Sequence, residues 1–73
     1  MATVNLSELE QVLVDGKWEQ VNQPADLKVV QVVDDDEGHD DVVGAGRALI
    51  WQSGQTMIAV PVDRIQATKW TAT

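Results

Sequence analysis

The sequence predicts a small, mainly β domain, and three observations carry that expectation. Valine is abundant, Phe and Tyr are absent, and the only aromatics are Trp18, Trp51 and Trp70; β-branched residues around a few indoles suit a pleated sheet better than a helix bundle. Short apolar or alternating runs recur with turn signals between them, as in small barrels and sandwiches. The 73-residue length allows one domain with one modest core. The expected architecture is a five-stranded barrel or twisted antiparallel sheet, with residues 1–73 forming a single domain.

The first segment admits two readings. Ser7 and Glu10 fit a capping box, and Leu6, Leu9 and Leu13 share a helical face. The stretch from Leu9 to Val14 also reads as a strand leading into Asp15-Gly16. That dipeptide suits a type I′ turn, which needs positive φ at both central residues. Residues 17–21 then alternate as the returning strand. The hairpin is the preferred reading, preceded by a short helical turn near Ser7.

Residues 22–26 form a loop by composition, because Pro24 lacks the donor that a central strand requires. Leu27 to Val33 holds four valines in seven residues and is the clearest strand. Lys28 and Gln31 interrupt it, so burial is expected mainly on one face. Asp34, Asp35, Asp36, Glu37, Asp40 and Asp41 crowd six carboxylates into eight residues, expected as an exposed, mobile loop. After Val42-Val43, the run Gly44-Ala45-Gly46 permits a bulge or close backbone approach.

Residues 47–52 read as a strand, Ser53-Gly54 as a tight turn and residues 55–60 as the returning strand. Pro61 ends that strand or marks an edge, and residues 61–65 suit one 3₁₀ turn. Residues 66–70 alternate as a last short strand. This order of hairpin, proline-initiated turn and short final strand resembles the end of SH3-like barrels over residues 47–70. Peptide-binding SH3 domains use a Tyr- and Trp-lined groove for polyproline ligands. Without tyrosine, that activity is not carried over.

Composition narrows the function. With no cysteine and His39 as the only histidine, disulfides and thiolate metal sites are excluded and a structural zinc site is disfavoured. The absence of disulfides leans towards the cytoplasm. No apolar run approaches the roughly 18 residues of a membrane helix, and Met1 to Val4 does not begin like a signal peptide. The net charge of −7 is concentrated locally: residues 34–41 contribute −6, whereas residues 42–73 hold three bases against one acid. Phosphate backbones should repel so acidic a chain, so direct nucleic-acid binding is not expected. No nucleophile motif or phosphate loop is present, and an enzyme is not expected.

Four candidate features remain. The acidic block begins like an EF-hand at Asp34 and Asp36, but Gly38 sits one position early and Ala45 occupies the place of the bidentate Glu. An acidic docking surface or a solubilising loop fits the block better. Carboxylates around His39 should favour its protonated form, which would make it a pH-sensitive element or simply an exposed loop histidine. Trp51, in an apolar run, belongs in the core, whereas Trp18 and Trp70 have polar neighbours and suit an interface. Arg47, Arg64 and Lys69 suit pairing with the acidic block, within the fold or in a second copy.

These features point to a non-enzymatic binding module without a cofactor, docking through residues 34–41 and Trp18 or Trp70. The expected partner is a larger protein with a basic surface, such as an RNA polymerase or nuclease, and the module would be its inhibitor or regulator, for example a phage-encoded one. The alternatives are an assembly subunit that self-associates through a β edge and a Ca²⁺- or Mg²⁺-responsive domain. No membrane partner is expected.

Overall fold

The computed structural model describes residues 3–34 and 41–71. Among the described residues, six strands form two three-stranded antiparallel sheets. They are β1 (Leu9–Val14), β2 (Lys17–Gln20), β3 (Asp26–Asp34), β4 (Asp41–Ser53), β5 (Thr56–Pro61) and β6 (Ile65–Trp70). One sheet has the order β2-β1-β6 and the other β3-β4-β5. The mainly β expectation is met: the six strands correspond to the six runs read along the chain, one more than the five-stranded architecture expected, and no closed barrel forms among the described residues. Each sheet has its own central strand, β1 or β4, and the chain crosses between sheets at residues 21–25 and 62–64.

The β1–β2 hairpin forms as the sequence suggests. Asp15 and Gly16 have φ of 51° and 76°, and Val14 pairs with Lys17 across them. Gly takes a left-handed backbone without steric cost, and Asp, whose short polar side chain bonds locally, is among the few other residues that adopt it readily. The backbone N–H of Gly16 donates to Oε1 of Gln66 at 2.9 Å, tying the turn to the start of β6. In this first segment the helical part is one 3₁₀ turn at Leu6–Glu8, preceded by Asn5 in place of Ser7, with no side-chain cap on the backbone. The capping box does not form because residues 9–14 are committed to ladders with both β2 and β6.

The β4–β5 turn is Gly54-Gln55, one residue later than the sequence suggested, and Ser53 pairs with Thr56 across it. Gly54 has φ of 63°, the positive value that a type II′ turn places at its first central residue. Pro61 ends β5 and a 3₁₀ turn follows at Val62–Arg64, as expected.

The inner faces of the two sheets enclose the core. Leu9, Val12 and Val21 meet Leu49, Trp51 and Val60, and Val4, Leu6, Val14, Ile58 and Ile65 pack around this cluster. Gln23 fixes the first crossing: its Nε2 donates to the carbonyls of Leu6 (2.9 Å) and Leu9 (3.0 Å), and its Oε1 accepts from the N–H of Ala25 (2.9 Å). Asn22 Nδ2 adds a bond to the carbonyl of Gln52 at 3.1 Å. Among the described residues no helix is long and apolar enough to cross a membrane.

The strongest departure from expectation lies in β3. Its valines do not have one buried face: Val29, Val32 and Val33 are exposed and only Val30 is partly covered. The reason is geometric. β4 has 13 residues, but β5 pairs only with residues 48–53 of it. The short strands of the other sheet cover the same end. Before residue 48 of β4, β3 and β4 run together as a two-stranded arm.

Two substitutions separate core from arm. Leu49→Ala should destabilise the domain by about 2–5 kcal/mol in urea titration, whereas Val29→Thr should change it by less than about 0.5 kcal/mol. Gly16→Ala should cost about 1 kcal/mol in the same assay, because it forces Cβ onto a left-handed backbone.

Candidate functional site

The arm consists of residues 29–34 of β3 and 41–47 of β4. Its ladder runs from Val29 opposite Arg47 to Asp34 opposite Asp41, with a register shift at Val32/Val33. The shift leaves Val43 as the extra residue of a bulge, next to the glycines that the sequence had marked for one. Asp34 and Asp41, the ends of the acidic block, are therefore strand residues and not loop. Asp35, Asp36, Glu37, His39 and Asp40 lie outside the described residues.

Alternation gives the arm two faces. On one, Val29 is opposite Arg47 and Gln31 opposite Ala45. On the other, Val30 is opposite Gly46 and Val32 opposite Gly44, so neither valine has a cross-strand side chain beside it. A Cβ added at Gly44 or Gly46 would meet nothing within 4 Å. A shallow groove of about 670 Å³ lies over this second face, with Val30, Val32, Ala48, Pro61, Val62 and Arg64 among its walls. Val29 is 77% exposed and Val43 68%. Apolar side chains thus face solvent on both sides of the arm, which is the usual mark of a surface that meets another molecule.

Charge on the arm is sparse apart from its tip. Lys28 Nζ lies 3.8 Å from Asp26 Oδ2, with both side chains largely exposed, so this pair contributes little to stability. Arg47 and Arg64 border the groove together with Asp63. Among the described residues neither arginine joins an ion pair, so the pairing with carboxylates expected for these bases is not seen there. No group of three or more His, Cys, Asp or Glu side chains suited to a metal ion occurs among the described residues.

The tryptophans separate as their neighbours suggested, into one core and two partly exposed residues. Trp51 is 2% exposed, and its Nε1 has no hydrogen-bond partner among the described residues. Trp18 and Trp70 are 37% and 39% exposed. They do not form one surface. Trp18 is opposite Leu13 on the outer face of the first sheet, under Lys69, whose Nζ stands 4.1 Å from the ring centroid. Trp70 follows Lys69 in β6 and points to the other face, opposite Leu9. Neither belongs to the sheet that carries the arm.

Sequence reasoning named the acidic block and the two outer tryptophans but missed the arm valines as exposed. The available signal was the pairing of a valine-rich strand with Gly44-Ala45-Gly46, which supplies no side chain larger than a methyl group to cover it. No protein-family model matches this chain, and neither a curated protein nor a solved structure shows significant similarity to it.

The Lys69–Trp18 contact has a measurable consequence. A double-mutant cycle of Lys69→Gln with Trp18→Leu should give a coupling of about 0.5–1 kcal/mol by urea unfolding, the range of an exposed cation–π contact.

Proposed function

We propose that this chain is a small non-enzymatic binding module that docks on a larger protein through the β3–β4 arm. The observation that carries the proposal is the arm itself: valines exposed on both faces, outside the core, leading to the acidic block. A folded domain gains nothing for its own stability by presenting Val29 and Val43 to water, and a partner surface that covers them would gain from it.

The partner's chemistry follows from charge. Residues 34–41 hold six carboxylates and no Lys or Arg. A complementary face is basic, and such an encounter is fast and salt-sensitive. Nucleic-acid-processing enzymes such as RNA polymerases and nucleases carry faces of this kind, and an inhibitor or regulator of one, for example phage-encoded, is the concrete form of the proposal. Trp18 and Trp70 have the exposure that interface anchors need, each for a different face of the first sheet. The SH3-like likeness of residues 47–70 rests on the order of β4, β5, 3₁₀ turn and β6 and supplies no ligand.

Affinity capture tests this directly. The immobilised chain should retain a basic protein from host lysate at low salt and lose most of it at moderate salt. A version with Asn or Gln at the six acidic positions of residues 34–41 should retain at least tenfold less while unfolding at the same urea concentration. Val43→Lys, on the arm, should weaken retention as well. If nothing is retained under either condition, or if the neutralised chain retains as much, the proposal fails.

A further inference from the structure

The hydrogen-bonding phase of β3 can be worked out from the turn at the far side of its sheet. In a two-residue hairpin the closing pair is hydrogen-bonded, so Ser53 and the other odd-numbered residues of β4 aim their backbone groups at β5. Its even-numbered residues aim at β3, where Ile50, Ala48, Gly46 and Gly44 meet Asp26, Lys28, Val30 and Val32. Two bonds agree with this phase. Gln52, even-numbered but beyond the start of β3, gives its carbonyl to Asn22. The N–H of Leu27, odd-numbered and therefore pointing away from β4, is taken by the carboxylate of Asp26 at 2.9 Å.

It follows that Val29, Gln31 and Val33 direct their N–H and C=O groups out of the sheet along its free edge. Protected edges are short, bulged, proline-bearing or heavily charged. β3 has nine residues, no proline and no extra residue of its own, and its exposed residues include Leu27, Val29, Val32 and Val33. The bulge of the arm belongs to β4. This is an edge built to pair.

We infer that the occupant of this edge is the β3 strand of a second copy, joined antiparallel about a two-fold axis at Gln31. The charges select both the occupant and the register. Odd residues must meet odd residues for their backbone groups to bond, which leaves few two-fold registers. Pairing all nine residues about Val30 sets Asp26 against Asp34 twice, and directly opposed like charges destabilise a sheet. Centring on Val29 sets both Asp26 and Lys28 against valines. Centring on Gln31 sets Lys28 against Asp34 of the second copy, Val29 against Val33, Val30 against Val32, and Gln31 against itself. Within the seven residues that this register pairs, each valine meets a valine and Lys28 meets Asp34, twice over by symmetry, while Asp26 and Leu27 lie beyond the paired segment. The product is a continuous six-stranded sheet in the order β5-β4-β3-β3-β4-β5.

This dimer does not rest on the basic partner proposed above, since it uses the strand edge and needs no second protein. Sedimentation of the purified chain should show a reversible rise from monomer to twice the monomer mass with concentration. Gln31→Pro should keep the chain monomeric while preserving the near-ultraviolet signal of Trp51, because the N–H it removes points away from the β3–β4 ladder. Lys28→Asp should weaken the dimer by about tenfold, and Lys28→Asp combined with Asp34→Lys should restore it. The chain has no cysteine, so Gln31→Cys supplies a single thiol. Opposed Cα atoms about 5.5 Å apart lie within disulfide reach, so it should cross-link on mild oxidation. Val33→Cys, four residues out of register with its own copy, should not. A chain that stays monomeric up to about millimolar concentration overturns the inference. So does a dimer that survives Gln31→Pro or cross-links better through Val33→Cys.

Discussion

Leu49 and Trp51 of β4 lie against Leu9 and Val12 of the opposite sheet and Val21 just after β2, and the rest of the molecule is arranged around how little surface that contact covers. A chain of this length cannot enclose two large sheets. The strands of the first sheet are four to six residues long, enough to shield one end of β4 and no more. The 13 residues of β4 therefore divide into a shielded part and a projecting part. Side chains of similar kind, such as Val60 and Val29, are buried or exposed according to which side of that division they occupy.

Local chemistry was the legible part of the sequence. Asp15-Gly16 announced its turn because few dipeptides tolerate positive φ twice. Pro61 announced a strand end because it has no N–H, and Trp51 announced itself as core through its apolar neighbours. What stayed hidden depends on partners distant in the chain. A run of valines looks the same whether a second sheet covers it or not, so the exposure of β3 could not be read from residues 27–33. Strand β4 was read too short because glycines and carboxylates discouraged a strand, yet β3 supplies a ladder that holds residues 41–46 in one. The site was legible in the same partial way. The exposure of Trp18 and Trp70 followed from their polar neighbours, but nothing local indicated that they would face opposite sides of one sheet.

The arm brings together two tendencies that usually oppose each other. Exposed β-branched residues favour association, while a high net charge of one sign keeps copies apart. In this chain the two are separated along a single hairpin: valines occupy the ladder between Lys28 and Val33, and carboxylates are concentrated where the two strands join. Association is thereby confined to arrangements that keep acidic ends away from one another. An antiparallel arrangement meets that condition and a parallel one does not.

The order of strands in the first sheet has a consequence for how the chain reaches this state. β1 pairs with β6, more than fifty residues later, whereas β3, β4 and β5 pair only with their neighbours in sequence. Contacts between distant residues are made late, because the loop between them must first be closed. The β3–β4–β5 meander is therefore the part that can assemble early, and the first sheet the part that waits for β6. During synthesis, β1 and β2 emerge first and stand as a lone hairpin until almost the whole chain has followed. The bond between Gly16 and Gln66 joins the turn of that hairpin to β6, so it can form only once β6 has arrived.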